Sequence, residues 1–88
     1  MVRVRAVVSG RVQGVWFRQS CREQAVAAGV AGWVRNRPDG RVEAEFEGEQ
    51  ASVEVVLAWI EVGPALAVVT SVEVSDLTPS GETGFEVR

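Results

Sequence analysis

Residues 2–18 read Val2-Arg3-Val4-Arg5-Ala6-Val7-Val8-Ser9-Gly10-Arg11-Val12-Gln13-Gly14-Val15-Trp16-Phe17-Arg18, and a change of rhythm inside this stretch sets the fold. Val2, Val4, Ala6 and Val8 alternate with Arg3, Arg5 and Val7, the two-residue period of a β-strand with one apolar face. Ser9-Gly10-Arg11-Val12-Gln13-Gly14 then breaks the period with two glycines. From Trp16 or Phe17 a helical spacing takes over. Phe17, Cys21, Ala25 and Ala28 fall on one face, and Gly29 supplies a C-terminal stop. The stretch is a strand, a glycine-containing loop and a helix, the opening of a βαβ unit.

Working outward, Ala31 to Asn36 predicts a second strand and Arg37-Pro38-Asp39-Gly40-Arg41 a turn. Val42, Ala44 and Phe46 alternate with Glu43, Glu45 and Glu47, which predicts a third strand with one wet, acidic face. Val53, Val56, Leu57 and Ile60 mark a second amphipathic helix, ended by Gly63-Pro64 and lacking a clean capping box at Glu49 or Ser52. A fourth strand covers Ala67 to Leu77; its alternation slips near Thr70-Ser71, where a bulge is expected. Phe85 and Val87 suggest a short last strand. The order is βαββαβ with one extra strand. Because crossovers between parallel strands are right-handed, the expectation is an α+β sandwich of the ferredoxin-like type. It has an antiparallel-type sheet, two helices on one face and a short extra C-terminal strand. That fold hosts many functions, so it decides nothing about activity.

With 88 residues, 47% of them hydrophobic, the chain supports one domain over residues 1–88 and leaves no room for a second core. No apolar run approaches the roughly 20 residues that span a bilayer. The alternating start, Met1-Val2-Arg3-Val4-Arg5, is neither a signal peptide nor a lipidation signal, so the expected location is cytoplasmic with no membrane partner. One Cys allows no internal disulfide, and the lack of His argues against an ordinary zinc site, so no metal or cofactor is expected. The net charge of −3 is unevenly spread. Residues 1–41 carry eight Arg against Glu23 and Asp39, whereas residues 42–88 carry Arg88 against ten acidic residues. Every basic residue is Arg, whose planar fork of donors suits phosphate or carboxylate, although compositional bias is the better explanation of the missing Lys.

Gly10 to Arg18 is the stretch that carries chemistry. Glycines between a strand and a helix let successive backbone N–H groups turn inward as an anion-binding concavity. The helix start adds unpaired N–H groups and the positive end of its dipole. Arg18, in the first turn, can lay a charge-assisted fork over the same anion. The spacing is not that of a Walker loop. Taken alone, the stretch also reads as a plain structural turn. Asn36 adds a second element. The βαβ crossover makes strands 1 and 2 parallel, so Asn36 should face the glycine loop across a small crevice at one sheet edge. An amide there can orient a water, its oxygen accepting and its NH₂ donating. By itself Asn36 also reads as the residue that opens the turn.

Taken together, Gly10-x-Val12-Gln13-Gly14-Val15-x-Phe17-Arg18, then Gly32-Trp33-Val34-x-Asn36 and a turn with Gly40, resemble the acylphosphatase family. The likeness continues through Val42-Glu43, Glu47-Gly48 and Gly63-Pro64 with Ala67 and Val69, covering essentially the whole chain. The resemblance implies the ferredoxin-like sandwich and metal-independent hydrolysis of a small-molecule acyl phosphate to a carboxylate and inorganic phosphate. It implies that Arg18 binds the phosphoryl group with backbone amides of Val12, Gln13, Gly14, Val15, Trp16 and Phe17. Asn36 would position the attacking water. Such a reaction needs mainly positioning and charge stabilisation, so a chain without His can carry it, the substrate's own phosphate oxygen taking the water's proton. The resemblance further implies a monomer. Trp16 stands where the family often has another aromatic. A similar domain occurs in carbamoyl-transferring hydrogenase maturation factors, but as part of a much longer chain, whereas this one reads as a complete small enzyme.

Arg11, Arg35, Arg37 and Arg41 read as solvated surface or as groups steering an anionic substrate. Cys21 reads as a core thiol; Trp16, Trp33 and Trp59 read as packing residues; the Glu43, Glu45 and Glu47 row reads as a solvated face. Ser9 and Ser20 have no His partner and are not expected to be nucleophiles. Two other functions fit the fold. RNA binding is disfavoured by the acidic third strand and the absence of Tyr, so no nucleic-acid partner is expected. A non-catalytic phosphate or small-anion-binding module is the alternative, against which Arg18 and Asn36 together argue.

Overall fold

The computed structural model describes residues 1–88. Its elements are β1 (Val2–Arg11), α1 (Phe17–Ala28), β2 (Ala31–Asn36), β3 (Val42–Gly48), α2 (Gln50–Ile60), β4 (Val68–Leu77) and β5 (Phe85–Val87). The strands form one sheet in the order β4-β1-β3-β2-β5. β1 pairs antiparallel with β3 and β4, and β2 antiparallel with β3. β5 adds to β2 in parallel, so the sheet is mixed at that edge. The expected ferredoxin-like α+β architecture is present. No helix is long and apolar enough to cross a membrane.

The apolar alternation of β1 and β3 is in register, with Val4 opposite Phe46, Ala6 opposite Ala44 and Val8 opposite Val42. This face packs against Phe17, Cys21 and Ala25 of α1 and Val53, Val56 and Ile60 of α2 in one buried cluster. Gly32 lies between Phe46 on β3 and Phe85 on β5, whose rings stack with centroids 5.8 Å apart. The rings close the gap that a glycine leaves in a sheet. A Cβ on Gly32 would run into the Glu45 carbonyl oxygen, and its φ of 138° lies outside the usual range for other residues. The predicted helix stop is also realised. Gly29 adopts a left-handed conformation, its N–H donates to Val26 O, and the Val30 N–H donates to Ala25 O. The slip in β4 is a bulge. Ser9 pairs with Ser71 and Gly10 with Val69, leaving Thr70 as the extra residue.

The acidic row of β3 corrects the sequence reading. Glu43, Glu45 and Glu47 are 8%, 8% and 2% exposed, not a wet face. β3 is the central strand, so long Arg side chains from β1 and β2 fold over it. Arg3 donates to Glu45 at 2.8 Å and to Glu47 at 2.9 Å, and Arg35 donates to Glu43 at 2.7 Å. The segment between β4 and β5 crosses the same face, and the Ser80 and Gly81 N–H groups donate to the Glu47 carboxylate at 2.8 and 2.9 Å. These amides, with Arg3, hold the Glu47 carboxyl down at about 2. For Glu45, burial pushes the other way, but hydrogen bonds from Arg3 and Arg5 outweigh it and the net shift is downward.

Candidate active site

β1 and β2 are both antiparallel to β3, so they run parallel to each other and end at the same sheet edge; β5, parallel to β2, ends there too. Between these ends and the start of α1 lies a cleft of about 430 Å³, lined by Val12, Gly14, Trp16, Phe17, Arg18, Gln19, Asn36 and Val87. The glycine loop and Asn36, 18 residues beyond Arg18 in the chain, thus meet across one crevice. The right-handed crossover is what brings them together.

The loop's conformation follows from the side chains that it must bury. Val15 and Phe17 are 3% and 2% exposed, both part of the core cluster. Two buried residues around one intervening residue force Trp16 outward. Its backbone is left-handed, with φ 67° and ψ 22°, and its side chain is 75% exposed. That conformation costs a non-glycine residue roughly 1–3 kcal/mol. Trp16 is therefore not the packing residue that the sequence suggested. Trp59 is, with its ring 5.4 Å from that of Phe17. Trp33 is buried on the opposite sheet face beneath the Arg88 guanidinium, 5.0 Å from its ring centroid. Gly14 turns the loop with a φ of 73°.

Trp16 also occupies the N-cap of α1, and no side chain caps the helix or places an acidic group in its first turn. The first-turn N–H groups and the positive dipole end face the cleft without a resident carboxylate. Arg18 takes part in none of the chain's ion pairs. Its Nη1 donates to the main-chain oxygen of Arg88 at 3.1 Å. Arg88 is itself held on β2, its N–H donating to Val34 O at 2.8 Å. The end of β5 thereby holds the Arg18 guanidinium, which has no Asp or Glu side chain as a partner. By contrast, Arg35 is paired with Glu43, and Arg37 and Arg41 clasp Asp39. The Arg41 hydrogen bonds hold the Asp39 carboxyl below its usual range.

Six of the eight expected site residues line the cleft. Gln13 and Val15 do not. Val15 is a core residue, and the Gln13 side chain points to the neighbouring turn, where Nε2 donates to the carbonyls of Arg37 at 2.8 Å and Arg41 at 2.9 Å. The cleft also includes Gln19 and Val87, which the sequence reading missed. Gln19 adjoins Arg18 at the helix start, a signal that was available. Val87 had none, because its place depends on β5 pairing with β2. Cys21 is fully buried, as expected, and burial pushes its thiol up to about 12, which makes it inert at neutral pH.

Comparison with known proteins finds relatives along nearly the whole chain. Residues 4–87 match the family model described as Acylphosphatase. The chain is 57% identical over 88 residues to the acylphosphatase of Anaeromyxobacter dehalogenans, covering 99% of this chain and 95% of that protein. It is 59% identical over 87 residues to that of Rubrobacter xylanophilus, covering 98% and 79% respectively. The crystal structure of acylphosphatase from Bacillus subtilis superposes with a TM-score of 0.97 at 35% identity, covering 100% of this chain and 99% of that one. On fold and sequence alike, the chain belongs to the acylphosphatase family of hydrolases.

Proposed function

We propose that the cleft at the ends of β1, β2 and β5 is where this chain hydrolyses the carboxyl–phosphate bond of an acyl phosphate, with Arg18 and Asn36 as its catalytic residues. The observation that carries this assignment is Arg18, free of any Asp or Glu side-chain partner, at an uncapped helix N-terminus across one cleft from Asn36. The phosphoryl oxygens take N–H groups of the Val12–Phe17 loop and the Arg18 guanidinium, which neutralise charge as it spreads over the transferring group. Asn36 holds the water with its amide, accepting from one O–H and donating to the oxygen lone pair. The water oxygen bonds to phosphorus, the bond from phosphorus to the carboxyl oxygen breaks, and the carboxylate leaves without needing a proton. A phosphoryl oxygen of the substrate takes the water's proton, since no Asp, Glu, His, Cys or Lys side chain lines the cleft. On this reading residues 1–88 form one functional domain that acts as a monomer in the cytoplasm on small molecules.

The test is turnover of benzoyl phosphate in the presence of a metal chelator. The wild type is expected to hydrolyse it. Arg18→Ala is expected to lose roughly 10²–10³-fold in kcat/KM, with inhibition by inorganic phosphate weakened. Asn36→Ala is expected to lose about 10²-fold, mainly in kcat, with phosphate inhibition retained. A folded wild type that binds phosphate without turnover would leave an anion-binding module instead. Full activity in both variants would move the chemistry elsewhere.

A further inference from the structure

The cleft has two chemically distinct parts. Arg18, Gln19, Asn36 and the start of α1 make one polar side. Of the four apolar lining residues, Val12 and Phe17 are only 1% and 2% exposed, so they form the floor and offer a ligand little surface. Trp16 and Val87 are 75% and 41% exposed. Trp16 is the most exposed of the large apolar side chains, yet it stands on a rigid base: its flanking residues are buried, and its carbonyl accepts the Ser20 N–H at 3.1 Å. Its indole is presented at the cleft by the chain's one left-handed non-glycine residue. A cleft of about 430 Å³ is several times larger than a phosphoryl group. A substrate anchored at Arg18 through its phosphoryl end must extend its remaining atoms through the rest of that space.

Resting on the assignment of the phosphoryl site to Arg18, we propose that Trp16, with Val87 beside the same cleft, is the surface that receives the acyl group. It sets a preference for acyl phosphates with a flat, apolar acyl group over those with a single methyl. An aromatic acyl group lies against the indole in an offset or edge-to-face contact and takes apolar surface out of water, which a methyl group does to a much smaller extent. The left-handed backbone of Trp16 allows a clean test, because glycine adopts it without strain.

The experiment measures kcat/KM for benzoyl phosphate and for acetyl phosphate with wild type, Trp16→Gly, Trp16→Phe and Arg18→Ala. The ratio of benzoyl to acetyl kcat/KM is expected to fall about tenfold in Trp16→Gly, chiefly through the benzoyl phosphate KM, and to recover most of that loss in Trp16→Phe. An unchanged ratio in Trp16→Gly would overturn the proposal, as would a loss that Trp16→Phe does not restore. Retention of activity toward both substrates in Arg18→Ala would instead overturn the assignment of the phosphoryl site, so the two failures are distinguishable.

Discussion

Gln13 does not line the cleft, yet its side chain ties the glycine loop to the turn that follows Asn36. Its amide spans the Arg37 and Arg41 carbonyls, which also close the turn through the Arg37 N–H to Arg41 O and Gly40 N–H to Arg37 O bonds. Loop and turn thus hold each other, and with them the distance between Arg18 and Asn36. Because both carbonyls keep a backbone donor, Gln13→Ala is expected to cost only about 1 kcal/mol of stability in urea unfolding. Its larger effect should be kinetic, a fall of roughly tenfold or more in kcat/KM from a loosened site. Gln13→Glu, which sets a carboxylate against two carbonyl oxygens, should be worse than Ala in both measurements.

β3 shows how an element can carry charge into a sheet without solvating it. Glu43, Glu45 and Glu47 lie under a cover of Arg3, Arg5 and Arg35, and Glu47 also receives the Ser80 and Gly81 N–H groups. These contacts join β1, β2, β3 and the segment leading into β5. Glu47 is held at about 2 against an ordinary 4.5, so it binds a proton more readily when unfolded. Its contribution to stability is therefore complete above about pH 4.5 and is lost as pH falls through about 2, with Glu45 acting in the same direction. The thermal midpoint is expected to hold steady from pH 7 to pH 5 and to fall steeply below. Glu47→Gln should start from a lower midpoint at pH 7 and show a shallower acid decline. An equal slope in both proteins would assign the acid sensitivity to other groups.

Across the whole molecule, the Phe46 part of the core and the cleft lie at different ends of the sheet. Phe46 pairs with Val4 near the start of β1, whereas the cleft opens beyond its last residue, Arg11. Phe46 is fully buried and stacks on Phe85 over Gly32. Phe46→Ala is expected to cost roughly 3–5 kcal/mol in chemical unfolding. Its effect on the kcat of the folded fraction should be much smaller, except through β5. That strand links the Phe46 stack to the cleft, since Phe85 packs on Phe46 and Val87 lines the cleft. A large loss of kcat in Phe46→Ala, measured where the protein remains folded, would show that the Phe46–Phe85 stack sets the position of the Arg88 oxygen that holds Arg18.

Periodicity is a local property, and what depends on it was legible in the order of residues. The strand-to-helix switch at Phe17, the Gly29 stop and the slip at Thr70 each follow from a few neighbouring side chains. The meeting of Arg18 with Asn36 was legible too, because the handedness of a βαβ crossover leaves only one sheet edge for both. Three features were not. Alternating glutamates show that one face of β3 is polar but not that Arg side chains and the Ser80–Gly81 backbone lie over it. The sequence around Trp16 is apolar throughout, and competition from Val15 and Phe17 for the same core is what turns the indole outward. Val87 and the Arg88 oxygen enter the cleft through a parallel pairing with β2, across about fifty residues of intervening chain. Such a pairing leaves no local trace, because its energy comes from contacts that form after the rest of the sheet is in place.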